Sequence, residues 1–107
     1  MVEKIIKRDG RVVDIDDLKI FNAVCLAVED AKNNGVVVES STDLAQDVTD
    51  NVINTLDAIF DEADIYPTVE QIQDLVVDEL KELNPEVAKY YSEYRERRTK
   101  ERLKTLL

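Results

Sequence analysis

Basic side chains are concentrated at the two ends of this 107-residue chain, and the stretch between them is strongly acidic. Residues 1–11 carry a net charge of +2 and residues 92–107 a net charge of +3, so residues 12–91 hold −15 within a total of −10. A uniformly acidic surface repels nucleic acid, and we expect no such partner. Two basic ends on an acidic body instead favour a small anion-binding site, formed where the ends of the chain meet.

The composition lacks the residue types that many enzymes use for catalysis. With no His and with Cys25 as the single cysteine, the chain cannot form Ser-His-Asp triads, Cys-His pairs, HExxH metal sites or internal disulfides. Carboxylates, Lys and Tyr remain, without an obvious cofactor loop. We therefore expect a domain that is not an enzyme, with no metal bound by protein ligands alone. Cys25 is expected to be a small buried hydrophobe.

Length and composition favour one helical domain over residues 1–107. The chain is long enough for one domain and too short for two. Only 2 Gly and 2 Pro are present, which argues against a β-sandwich or barrel and favours long helices with few connections. No run of about 18 apolar residues and no signal peptide is visible, so we expect no membrane partner and a cytoplasmic location.

Residues 2–13 are predicted to form a β-hairpin, because β-prone residues flank Asp9-Gly10, a strong turn signal. A lone hairpin is marginal in water, so it must pack on something or gain a third strand. Ile65-Tyr66 is the candidate for that strand, which would make a mixed sheet. Val36–Val38 is either a short strand or an ordered linker. The predicted class is α+β, with the hairpin capping a four-helix bundle.

Apolar spacing predicts the four helices, which cover about 16–33, 43–60, 69–83 and 86–105. Asp14 to Asp17 offer N-caps for the first, and Thr68 with Gln71 three residues later predicts a capping box for the third. The predicted inward residues are Leu18, Phe21, Val24, Cys25 and Val28 in the first helix, Leu44, Val48, Val52, Leu56 and Ile59 in the second, Val69, Ile72, Leu75, Val76, Leu80 and Leu83 in the third, and Val87, Ala88, Tyr91 and Tyr94 in the fourth.

Three sequence blocks resemble the ATP-cone, the allosteric nucleotide-binding domain at the N-terminus of many ribonucleotide reductases. The first is IIKRDGRVV at residues 5–13, followed by Asp16 and Lys19-Ile20. The second, TVEQIQDLV at residues 68–76, looks like the family's third-helix entry, and VAKYYSEYR at residues 87–95 looks like its final helix. Together the blocks span about residues 3–98 in the family's order. One departure is Ile15, near which the family often has an aromatic residue.

The resemblance implies a binding site for ATP or dATP together with Mg²⁺. By family resemblance the site residues are Lys7, Arg8, Arg11, Val12 and Val13 beneath a hairpin lid, Lys19 at the phosphates, Thr68 and Gln71 at the base or ribose, and Arg95 and Arg98 from the last helix. A triphosphate needs several cations close by, because desolvating so much charge is costly without them. Adjacent strand positions point to opposite faces, however, so only one of Lys7 and Arg8 can face the helices unless a bulge intervenes.

These residues also have purely structural interpretations. A Lys-Arg pair before a turn is often a solvated strand end, and Thr68 is at least as good an N-cap as a ligand residue. Arg95 and Arg98 would ordinarily be exposed partners of the nearby acidic residues Glu93, Glu96 and Glu101. Tyr91 and Tyr94 are more often core residues than adenine-stacking ones.

The resemblance implies an allosteric regulatory domain of a ribonucleotide reductase, an enzyme of DNA replication whose catalytic part is absent from this chain. Its partners would be that catalytic domain and other ATP-cones or subunits, in an inactive oligomer that dATP favours and ATP releases. One alternative is the nucleotide-sensing cone of a transcriptional repressor of reductase genes. That type begins with a four-cysteine zinc ribbon, whereas here the hairpin starts almost at Met1. A helical interaction domain without a ligand is the other alternative.

Overall fold

The fold is a β-hairpin followed by four helices, which confirms the predicted α+β class. It is described by a computed structural model over residues 2–60 and 65–106. The elements are β1 (Lys4–Ile6), β2 (Val12–Asp14), α1 (Asp17–Asn33), α2 (Ser41–Phe60), α3 (Val69–Leu83) and α4 (Pro85–Leu106). The largest departure from the predicted helix bounds is at α2, which begins at Ser41 rather than at residue 43.

The turn of the hairpin explains how neighbouring basic residues reach the same side. Strands β1 and β2 are antiparallel, and the Lys7 carbonyl accepts a hydrogen bond of 2.9 Å from the Gly10 N–H. The Lys7 N–H donates to the Arg11 carbonyl at 2.8 Å, and Gly10 has a φ of +88°, in the left-handed region. This is a three-residue loop with a bulge at the glycine. Arg8 therefore lies in the turn, and the alternation expected of strand neighbours does not apply to Lys7 and Arg8.

The prediction of a third strand at Ile65-Tyr66 is wrong. In the described part of the chain the sheet has two strands, and Ile6 forms one isolated parallel bridge with Thr68. The Ile6 N–H donates to the Pro67 carbonyl at 2.9 Å. Pro67 has no N–H to return, so a ladder cannot extend through it. The hairpin is thus joined to the start of α3 by one short backbone contact.

The core lies inside a ring in which α1 contacts α2 and α4, and α3 contacts the same two helices. Val2, before the hairpin, joins this core, and its N–H donates to Asp57 Oδ1 on α2 at 2.6 Å. Branched aliphatic side chains fill the centre, and those without exposed surface are Val24, Val28, Val48, Val52, Leu56, Leu80 and Val87.

Three predicted core residues are exposed instead. Leu18 is 66%, Ile59 56% and Leu83 45% exposed. Each lies in the first or last turn of its helix, where the neighbouring helices do not cover every apolar residue. Phe60 is buried in place of Ile59. Cys25 is half-buried rather than fully buried.

Side-chain caps fix the starts of α1 and α3 close to the hairpin. Asp16 Oδ1 accepts from the Leu18 N–H at 3.0 Å. Thr68 Oγ1 accepts from the Gln71 N–H at 3.1 Å while Gln71 Oε1 accepts from the Thr68 N–H at 2.9 Å, which confirms the predicted capping box. Val36–Val38 was predicted to be either a short strand or an ordered linker. It forms no strand and is therefore a linker.

Candidate functional site

A pocket of about 310 Å³ lies between the hairpin and helices α1, α3 and α4. Its apolar lining comes from all of these elements and consists of Ile5, Val13, Ile15, Ile20, Ala23, Val69, Ile72, Val76 and Tyr91. Its polar lining is Lys7, Arg8, Asp14, Asp16, Lys19 and Gln73. The apolar side chains are buried or half-buried and most of the polar ones are exposed, so the pocket has an apolar floor and a polar rim.

The polar rim of the pocket carries two lysines, Lys7 and Lys19. Lys7 and Lys19 form no ion pair with any residue in the ranges 2–60 and 65–106. The two carboxylates of the rim are already engaged. Asp14 bonds Lys4 Nζ at 2.6 Å, which lowers the pKa of Asp14, and Asp16 caps α1. Neither carboxylate forms an ion pair with Lys7 or Lys19.

A second cluster of charges borders the rim and joins three elements. Glu70 Oε1 accepts from Arg8 Nε at 2.9 Å, and Glu70 Oε2 accepts from Arg95 Nη2 at 2.8 Å. Arg95 Nη1 also donates to Asp74 Oδ1 at 2.7 Å. The hydrogen bond from Arg95, with the further effect of Arg8, lowers the pKa of Glu70. The structural interpretation of Arg95 as an exposed partner of Glu93, Glu96 or Glu101 is wrong, because its side chain is only 22% exposed and pairs with Glu70 and Asp74.

The pocket brings together four of the ten residues predicted for the site, namely Lys7, Arg8, Val13 and Lys19. Arg95 is connected to it through Glu70. The others do not line the pocket.

Most of those other residues have contacts of their own. Arg11 pairs with Asp9 in the turn at 2.6 Å, and Thr68 and Gln71 bond each other in the capping box. Arg98 lies 3.7 Å from Glu101, as the structural interpretation expected, beside a shallow groove between α1 and α4. Val12 is exposed on the hairpin.

Eleven of the fifteen pocket residues were not predicted as site residues, and Tyr91 and Gln73 are two of them. Tyr91 is 4% exposed, as expected of a core residue, yet it also lines the pocket, and its burial raises the pKa of its hydroxyl to about 12. Gln73 was not predicted; its Oε1 accepts from Arg8 Nη2 at 3.1 Å. The signals available in the sequence were its place in the TVEQIQDLV block and shortly after the capping box.

An apolar floor beside two lysines that form no ion pair among the described residues is suited to a small molecule with one flat apolar part and one anionic part. The fold and the pocket thus define a small α+β domain with a candidate site for an anionic ligand beneath the hairpin. The sequence model of the ATP cone domain matches residues 3–100, and the chain belongs to this family. ATP cones are regulatory rather than catalytic domains, and they bind ATP or dATP. A search of curated proteins found no significant match.

None of the helices in the described ranges is long and apolar enough to cross a membrane. The same ranges contain no group of three or more acidic or cysteine side chains arranged to hold a metal ion.

Proposed function

We propose that the pocket beneath the hairpin binds ATP or dATP, with the adenine on the apolar floor and the phosphates at Lys7, Arg8 and Lys19. The observation that carries this proposal is the pairing of an apolar floor with two lysines that form no ion pair with any carboxylate of the described residues. The volume of about 310 Å³ is at the lower end of the range for ligand pockets. It suits a nucleoside within the pocket and phosphates at the rim.

The phosphates supply most of the attraction in this proposal. The chain as a whole carries −10, so its long-range field opposes a nucleotide, and local cations must overcome that field.

Mg²⁺ would bind together with the triphosphate, whose oxygens are its preferred ligands. Asp14 and Asp16, the nearest carboxylates of the rim, are engaged by Lys4 and by the start of α1.

Calorimetric titration with ATP, dATP and AMP, each with Mg²⁺, tests the proposal. We expect saturable binding of both triphosphates and AMP affinity at least about tenfold lower, since one further charge-assisted hydrogen bond is worth that much. Thermal unfolding gives an independent measure, because a ligand at 100 times its Kd adds about 2.7 kcal/mol of stability. Equal affinities for AMP and ATP would show that Lys7, Arg8 and Lys19 do not bind the additional phosphates of a triphosphate.

For the wider role we propose a cytoplasmic regulatory domain of a ribonucleotide reductase. ATP and dATP would control activity by favouring different assembly states of cone and catalytic domain. Such a switch requires that the two effectors bind these states with different affinities. The support is the family's regulatory nature and its adenine-nucleotide ligands. Activity and sedimentation of the parent enzyme with each nucleotide would test it, and an activity insensitive to both nucleotides would contradict it.

A further inference from the structure

Glu70 occupies a position between the pocket and helix α4 that the proposed function leaves unexplained. Its two carboxylate oxygens bond two different arginines, Arg8 in the hairpin turn and Arg95 on α4. We propose that Glu70 is a positioning residue, which holds the Arg8 guanidinium at the pocket rim in the orientation that receives phosphate. This inference rests on the proposed function, because it assigns Glu70 a part in the same site.

The hydrogen bonds of Arg8 use one edge of its guanidinium. Nε donates to Glu70 at 2.9 Å and Nη2 donates to Gln73 at 3.1 Å, both on α3. Arg8 makes no other side-chain hydrogen bond within the described ranges. Of its five N–H groups, the two on Nη1 and one on Nη2 remain, and they form the end of the planar fork. That end matches two phosphate oxygens, and Arg8 lines the pocket.

Arg95 helps to hold the Glu70 carboxylate in place. It bonds the second oxygen of Glu70 and is itself held by Asp74, and its side chain is mostly buried. The Glu70 carboxylate is therefore also held from α4, independently of Arg8. Arg8 belongs to the loop of a two-stranded hairpin, where a long side chain would otherwise sample many rotamers. Ordering it in advance removes part of the cost of binding.

The test compares Glu70→Ala with Asp74→Ala in ATP and adenosine titrations of the intact chain. Both variants remove one negative charge from α3 and one partner of Arg95, but only Glu70→Ala also removes a partner of Arg8, which keeps its bond to Gln73. We expect Glu70→Ala to bind ATP about fivefold to tenfold more weakly than Asp74→Ala, the scale of ordering one long side chain. Adenosine affinity should be the same in both. In an Arg8→Ala background, Glu70→Ala should have no further effect.

Two kinds of result would overturn the inference about Glu70. An ATP affinity in Glu70→Ala equal to or above that of Asp74→Ala would show that the carboxylate does not position Arg8. A loss that persists in the Arg8→Ala background, or that affects adenosine equally, would show a general structural role. If the wild-type chain binds no ATP, the proposed function itself is wrong. If the wild-type chain binds ATP and Glu70→Ala has the same ATP affinity as Asp74→Ala, only the positioning role is refuted.

Discussion

Replacing Lys19 by alanine isolates the electrostatic part of the pocket. Lys19 lies in the first turns of α1, is exposed, and lines the pocket next to the cap residue Asp16. It has no ion-pair partner among the residues described, so its removal leaves no buried charge behind. The substitution therefore separates ligand binding from folding more cleanly than a change at Arg8 or Arg95, whose bonds connect elements of the fold.

The expected size of the effect follows from the contact that is lost. A hydrogen bond between an ammonium and a phosphate oxygen contributes about 1.5–3 kcal/mol. At about 1.4 kcal/mol for each tenfold change, ATP affinity should fall by roughly 10- to 150-fold in Lys19→Ala. The stability of the unligated chain should change by less than about 0.5 kcal/mol, as for other exposed substitutions away from caps and ion pairs.

Calorimetric titration with ATP measures the first quantity, and urea unfolding without nucleotide measures the second. Lys32→Ala is the matched control, because Lys32 is an exposed lysine in the last turn of the same helix and does not line the pocket. If Lys19→Ala binds ATP with wild-type affinity, Lys19 is a solvated surface residue and not a phosphate ligand. An equal loss in Lys32→Ala would show that net charge, rather than a contact, sets the affinity.

Three further predictions concern the fold and its assembly. Leu80→Ala, at a position without exposed surface, should cost about 2–5 kcal/mol in urea unfolding, whereas Leu18→Ala, 66% exposed, should stay within about 0.5 kcal/mol; similar costs would contradict the described core. The pKa of Tyr91 is raised to about 12 in the folded chain, so the unfolded chain loses this proton first, and stability should fall by about 2–3 kcal/mol between pH 10 and 12. Tyr91→Phe should lack this part of the fall, and an identical pH profile in that variant would refute it. The charge of −15 over residues 12–91 should keep the isolated chain monomeric at low salt without nucleotide, and a stable dimer in light scattering would contradict this.

The parts of the fold that local chemistry determines were predictable from the sequence. Asp9-Gly10 located the turn because glycine tolerates the positive φ found there. Thr68 and Gln71 located the start of α3 because their reciprocal bonds involve residues three apart. Ile59 shows the limit of such reasoning. It and Phe60 follow Leu56 by three and four residues, both within one helical turn, and the packing of the neighbouring helices decides which is buried.

The candidate site was less predictable, because its contacts join residues far apart in the chain. Arg95 has glutamates within a turn on its own helix, yet it bonds Glu70, 25 residues away. Arg8 bonds the same carboxylate across 62 residues. Such pairings depend on how α3 and α4 pack against each other, and the spacing of residues within one helix does not predict that packing. The family resemblance named both lysines of the pocket and also Arg8 and Arg95, but it did not predict that Glu70 joins the two arginines.

The hairpin has a consequence for the rates at which a ligand enters and leaves. Its two strands have three residues each, and one backbone hydrogen bond joins Ile6 to Pro67. A two-stranded ribbon is barely stable by itself, so it opens locally at a free energy well below that of global unfolding. Amide protons of β1 and β2 should therefore exchange with solvent long before those of α2, whose buried face is intact. A ligand bridging the turn and α1 would slow exchange in the ribbon first, and its dissociation would wait on that local opening.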